Sequence, residues 1–277
     1  MRVDIDVSQH QLGWQDLLGR VRFAEDSGFA GAWVFDHFKP LYGDPRGPCL
    51  EGWTLLAALG AATERIRLGA LVTGVTYRHP SVLAAEAVTV DHVSNGRLEL
   101  GIGAAWFDGE HHELGIPFPP TGQRVERLEE AVQVLKALMT SDGANFDGSH
   151  YELRGASFNP KPVQRPHPPI WIGASGERRM LPLVGRHADC WHTFGSVASL
   201  RRKSEIVDRA ATGAGRDPSR IVRATSLSIS EDFDQVRQRA ADTAGAGFSC
   251  LVVSWPSEGR GRLEEFVSDV MPGLGEL

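Results

Sequence analysis

The sequence predicts an α/β protein of the (β/α)8 TIM-barrel class, and three observations carry that prediction. Strand-like and helix-like segments alternate along the chain, eight of each. The length of 277 residues lies close to the roughly 250 typical of that fold. No linker or low-complexity run divides the sequence, so residues 1–277 are expected to form a single domain.

The strand segments are 3–7, 31–38, 66–75, 97–104, 169–174, 188–195, 221–230 and 250–255. Between and after them lie amphipathic windows at 14–27, 53–63, 81–93, 123–140, 177–186, 198–211, 232–243 and 263–271. The clearest helix is 123–140, where Val125, Leu128, Val132, Leu135 and Leu138 recur at three- and four-residue steps with charges opposite. A doubly wound open sheet is the rival, and the count of eight favours the barrel. The irregular stretch 141–168 reads as a short excursion at the rim, a small hairpin before the fifth strand.

Composition narrows the function classes. A hydrophobic share of 42% supports one sizeable core. A net charge of −6 with scattered basic residues argues against a nucleic-acid partner or an anionic membrane surface. Cys49, Cys190 and Cys250 have no metal-type spacing, and their odd number suits a reducing cytoplasm. The start, MRVDIDVSQH, lacks the apolar core of a signal peptide. No window approaches the ~18 apolar residues of a membrane span. The expected partner is a small-molecule substrate.

In such a barrel the chemistry sits at the C-terminal ends of the strands. The second strand ends AWVFDHF, and alternation puts Trp33, Phe35 and His37 on one face with Asp36 on the other. A histidine there can move a proton near neutral pH, or merely cap the barrel by hydrogen bonding. The third ends LVTGVTYRHP, where Gly74 allows a bulge or a close approach to a ligand. His79, Pro80 and Ser81 then read as a helix start. The fourth ends LELGIGAAWFDGEHHELG. Gly101 and Gly103 begin a dinucleotide fingerprint, but Trp106 stands where its third glycine should be, which disfavours a Rossmann site. Glu110, His111, His112 and Glu113 lack the H-E-x-x-H spacing, so the expectation is an exposed polar helix and no metal. The fifth ends PIWIGASGERRML, where Gly173, Ala174, Ser175 and Gly176 make a small-residue turn opening a helix. Free N–H groups there, with Arg178 and Arg179 nearby, favour a phosphate; an N-cap by Ser175 is the plain alternative. No G-x-S-x-G elbow occurs, which weakens a hydrolase reading.

Taken together, FDHF, TGVTYRHP, SNGRLELGIGAAWFDGEHHELGIPFPP, FDGSHYEL and PIWIGASGERRML resemble luciferase-like flavin monooxygenases. The resemblance is closest to the branch dependent on the deazaflavin coenzyme F420, and it covers nearly the whole chain in order. It implies an oxidoreductase with short rim insertions that transfers a hydride between F420 and an organic substrate. It implies a non-proline cis peptide at Gly74–Val75 behind the cofactor ring, and His37 as general acid or base. Glu110 is counted with His37 as catalytic. Asp36, Thr73, Gly74, Val75, Gly103 and the Gly173–Gly176 turn are counted as cofactor contacts. Trp33, Trp106 and Phe107 are candidate apolar walls. One departure is Trp106, where the family's sugar-phosphate dehydrogenases carry a glutamate. FMN is the alternative cofactor, and a non-catalytic flavin-binding protein is the alternative from another class. Relatives often pair through helices beside the second and third strands, which raises a homodimer as an expectation.

Overall fold

The computed structural model describes all residues 1–277. The chain begins with β1 (Arg2–Asp6), α1 (Trp14–Asp26), β2 (Gly31–Val34) and α2 (Gly52–Ala62). Next come β3 (Arg67–Ala70), β4 (Thr73–Gly74), α3 (Pro80–Val93), β5 (Leu98–Gly103), α4 (Asp108–Leu114) and α5 (Thr121–Thr140). A hairpin of β6 (Ala144–Asp147) and β7 (Glu152–Ala156) precedes β8 (Ile170–Gly173) and α6 (Met180–His187). The remaining elements are β9 (Cys190–Thr193), α7 (Val197–Gly213), β10 (Val222–Leu227), α8 (Phe233–Ala244), β11 (Cys250–Ser254), α9 (Arg260–Asp269) and α10 (Met271–Leu274).

The main sheet has the order β3-β2-β1-β11-β10-β9-β8-β5-β4, and β3 also pairs with β5, which closes the order on itself. This is the predicted (β/α)8 barrel. Its nine strand pieces fill eight places because the third predicted strand is broken into β3 and β4. Parallel strands covered on both faces are apolar throughout rather than alternating. Accordingly every residue of β5 (LELGIG) is buried, and so are four of the five in β11 (CLVVS). The hairpin expected within 141–168 is present, and the Glu130 carboxylate pins its turn by accepting from the N–H groups of Ser149, His150 and Tyr151.

Two compact units carry the packing. The first comprises residues 1–8, 19–33 and 172–277. Its core includes Ile5, Trp191, Phe248 and Phe266, with the Trp191 and Phe248 ring centroids 5.6 Å apart. Trp33 belongs to this core. It is 1% exposed and its indole N–H donates to Asp4 Oδ2 at 2.9 Å, so it walls no pocket. The second unit comprises residues 9–18 and 34–171. Here Leu128, Val132, Leu135 and Leu138 of α5 are buried, as the helical spacing requires. α3 starts as its sequence predicts, with His79 accepting from the Ser81 N–H and Pro80 in the first turn. No helix is long and apolar enough to cross a membrane.

Candidate active site

The candidate site lies in the second unit, where three short segments meet. The first is the stretch after β2. Regular strand ends at Val34, so the alternation argued for positions 33–37 lapses before it reaches His37. The second is the tight turn after β4, in which the Tyr77 N–H donates to Gly74 O at 3.1 Å. The third is α4, which supplies Glu110. Two glycines make this arrangement possible. A Cβ on Gly101 would overlap the carbonyl oxygen of Ala70, so β5 needs a glycine there for the end of β3 to approach. A Cβ on Gly74 would stand 2.7 and 2.9 Å from two carbons of the Tyr77 ring. The space that the sequence reading reserved for a ligand over Gly74 is taken by the chain's own tyrosine.

Glu110 is fully buried yet well satisfied. Its Oε2 receives His37 Nδ1 at 2.9 Å and the Tyr77 hydroxyl, and its Oε1 accepts the N–H groups of Phe38 at 2.7 Å and Lys39 at 3.2 Å. Burial pushes this carboxyl up, but the bonds from His37, Tyr77 and Phe38 outweigh it and hold the pKa below the usual glutamate value. Tyr77 moves the other way. Burial, then its bond to Glu110, raises its pKa, so it stays a protonated donor. An ionised Glu110 accepts from His37 Nδ1–H, which leaves the lone pair of the neutral ring on Nε2. Nε2 makes no hydrogen bond within the chain.

Aromatic rings surround His37, with centroids of Phe35 at 5.3 Å, Trp106 at 6.1 Å, Phe107 at 6.1 Å and Tyr77 at 6.2 Å. Trp106 is 66% exposed. His111 stacks on Tyr77 at 4.7 Å, and its two nitrogens bind Phe107 O at 2.7 Å and Thr76 Oγ1 at 2.6 Å.

The predicted site residues sort into groups. His37 and Glu110 come together. Asp36 does not join them: it is 1% exposed, and Arg78 holds both its oxygens at 2.7 and 3.1 Å. Arg78 also binds Glu51, the N-cap of α2. Thr73 is buried and accepts the Trp53 indole N–H at 2.9 Å. Thr73 and Gly74 pair with Ile102 and Gly103, and the Val75 N–H donates to Gly103 O at 3.0 Å.

The Gly173–Gly176 turn belongs to the first unit. The Ala174 N–H donates to His192 O at 3.0 Å, and the Ser175 hydroxyl bonds Thr193 Oγ1 at 2.9 Å. Lys203 Nζ donates to the same Thr193 oxygen at 3.2 Å and to Phe194 O at 2.6 Å, and Lys203 is only 7% exposed. Sequence reasoning missed this lysine because it sits mid-helix in α7, far along the chain from the turn.

Three expectations are corrected. The non-proline cis bond is Leu71–Val72, between β3 and β4, and not Gly74–Val75. The segment 110–113 is not an exposed polar helix, because Glu110 and His111 are fully buried while His112 and Glu113 face solvent. The small-residue turn does not open a helix directly: α6 begins at Met180, and Ser175 caps nothing. Tyr77 was overlooked as a polar group. A glycine three residues before an aromatic, inside a turn, is the signal that marks it.

Residues 1–266 match the family described as luciferase-like monooxygenase. An F420-dependent glucose-6-phosphate dehydrogenase of Nocardia farcinica is 33% identical over 84% of this chain and 70% of its own length. An FMNH2-dependent dimethylsulfone monooxygenase of Pseudomonas putida is 30% identical over 77% of this chain and 58% of its own. Among solved structures, the coenzyme F420 dependent tetrahydromethanopterin reductase from Methanopyrus kandleri superposes with a TM-score of 0.85 at 18% identity, covering 99% of both chains.

Proposed function

Because the chain belongs to the luciferase-like monooxygenase family, we propose that it is an oxidoreductase moving a hydride between coenzyme F420 and a small organic substrate. A bound deazaflavin supplies the hydride chemistry, and the protein supplies position, charge and a proton. His37 exchanges that proton at Nε2. Glu110 acts through His37, holding the Nδ1–H and offsetting the positive charge when Nε2 is protonated. Trp106 and Phe107 form apolar walls beside the imidazole. Thr73, Val75 and Gly103 are our candidates for ring contacts. The Gly173–Gly176 turn, with the ammonium of Lys203, is our candidate for the phosphate of the cofactor tail. Arg78 engages the Asp36 carboxylate and the Tyr77 ring fills the space over Gly74, so for these two we propose an indirect role in shaping the ring site.

One observation carries this reading. A histidine has one nitrogen fixed by a buried, ionised carboxylate, and its other nitrogen is unengaged beside an exposed tryptophan. FMN is the second cofactor reading, supported by the similarity to the FMNH2-dependent monooxygenase. Adding F420 or FMN to the purified protein and following cofactor fluorescence separates the two. Saturable quenching of F420 is expected; tight FMN binding with no response to F420 overturns the choice. A reducing cytoplasm is our expectation for its location, because three cysteines at unrelated positions make no disulfide framework in the sequence. A homodimer is our expectation for the assembly, and sedimentation velocity checks it.

A further inference from the structure

We propose that Tyr77 is a positioning residue: its hydroxyl keeps the Glu110 carboxylate charged and aligned on His37 Nδ1, which reserves Nε2 for proton exchange. The inference rests on the reading of His37 as the group that exchanges a proton. It does not depend on which cofactor binds.

The geometry around the phenol is restrictive. The Tyr77 hydroxyl bonds Glu110 Oε2, the same oxygen that receives His37 Nδ1, and it lies 3.4 Å from Nδ1 itself. A phenol has one proton to give. If that proton went to Nδ1, the imidazole would carry its hydrogen on Nε2 and lose its bond to the carboxylate. Donation to Glu110 excludes that arrangement and adds a donor to a carboxylate that has no access to water.

The ring is fixed on three sides. Two of its carbons, Cε2 and Cδ2, lie 2.7 and 2.9 Å from where a Cβ of Gly74 would stand. It stacks on His111 at 4.7 Å, and it stands nearly perpendicular to the Phe38 ring with centroids 5.1 Å apart. His111 is itself fixed, because Phe107 O takes its Nδ1–H and Thr76 Oγ1 engages its Nε2. A tyrosine held this firmly has one place to aim its hydroxyl.

The other titratable or charged groups nearby are spoken for. The Cys49 thiol lies 3.5 Å from His37 O, and burial with the charge of Glu110 pushes its pKa up to about 11. Burial and the nearby His37 bring His10 down to about 4. Lys39 pairs with Glu113, and Arg78 with Asp36. Among side chains, that leaves Tyr77 and His37 as the donors to Glu110.

The test uses the cofactor-free protein with 13C-labelled glutamate side chains, titrated by NMR as wild type and as Tyr77→Phe. The Glu110 carboxylate is expected to titrate at higher pH in Tyr77→Phe than in wild type, because a bond that favours its ionised form has gone. Identical titration in two folded proteins overturns the proposal. A second measurement needs no variant. In the wild-type proton spectrum, the Tyr77 hydroxyl should appear far downfield and exchange slowly, and a hydroxyl exchanging at the solvent rate also overturns it. A wrong cofactor assignment would leave both results unchanged, so the two ideas fail separately.

Discussion

Two histidines at strand ends show what neighbours do to one side chain. His37 follows β2 in the second unit, and His192 lies in β9 of the first. Both are nearly buried. His37 has an ionised carboxylate on one nitrogen and nothing in the chain on the other. His192 has only a serine hydroxyl, Ser226 Oγ at 3.1 Å from Nε2, and burial lowers its pKa to about 4. An imidazolium is expensive where burial strips its water and only a dipole faces it, as at His192. The first histidine has its tautomer set by the carboxylate, which is why we propose it as the proton-exchanging group. The second is a neutral packing group at physiological pH.

The largest effect that could break this comparison is catalytic. His37→Ala should keep cofactor binding and lose roughly 10²–10⁴ in the rate of hydride transfer, the range of a positioned acid or base. Single-turnover absorbance with a screen of small alcohols and carbonyl compounds checks it. A measurable but unchanged rate would remove His37 from the chemistry, and no reaction in either protein despite cofactor binding would favour a binding protein without turnover. The next effect concerns His192 and stability. The ordinary value is 6.5 and the folded value about 4. Between them the unfolded chain takes up a proton that the folded chain refuses, so stability falls as pH drops from 6.5 toward 4. The full loss is roughly 3 kcal/mol. His192→Gln should flatten that part of a denaturant-midpoint curve without changing the rate per folded molecule. Gly74→Ala should cost about 1–3 kcal/mol by pressing a Cβ into the Tyr77 ring, and thermal unfolding reads it. The smallest change is Glu51→Ala. It removes the cap that accepts from the Trp53 and Thr54 N–H groups and should cost about 1 kcal/mol. Its effect on the His37 ring should be slight.

Much of the fold was legible because local chemistry and global order agree. Helix α5 shows its apolar stripe openly, and the buried run of β5 reads as a parallel strand. Pro80 announces the start of α3. The site was legible only in part. His37 stood out as a lone imidazole at a strand end. Its partner Glu110 was reached only through the family resemblance, since it lies 73 positions away amid other polar residues and only folding buries it. Gly74 was recognised as exceptional, but sequence cannot say whether a ligand or a side chain fills the space over a glycine. Here the filler is Tyr77, three residues on. The ion pair between Asp36 and Arg78 spans 42 positions and carries no local signal.

The state of the His37 ring tests the central claim most directly. Nitrogen-15 NMR of the cofactor-free protein at neutral pH reports which ring nitrogen carries hydrogen. The account predicts a protonated Nδ1 and an Nε2 that bears a lone pair in the neutral ring. A neutral His37 protonated on Nε2 would contradict it, because the imidazole would then have no hydrogen to share with Glu110 and no free base to offer a substrate.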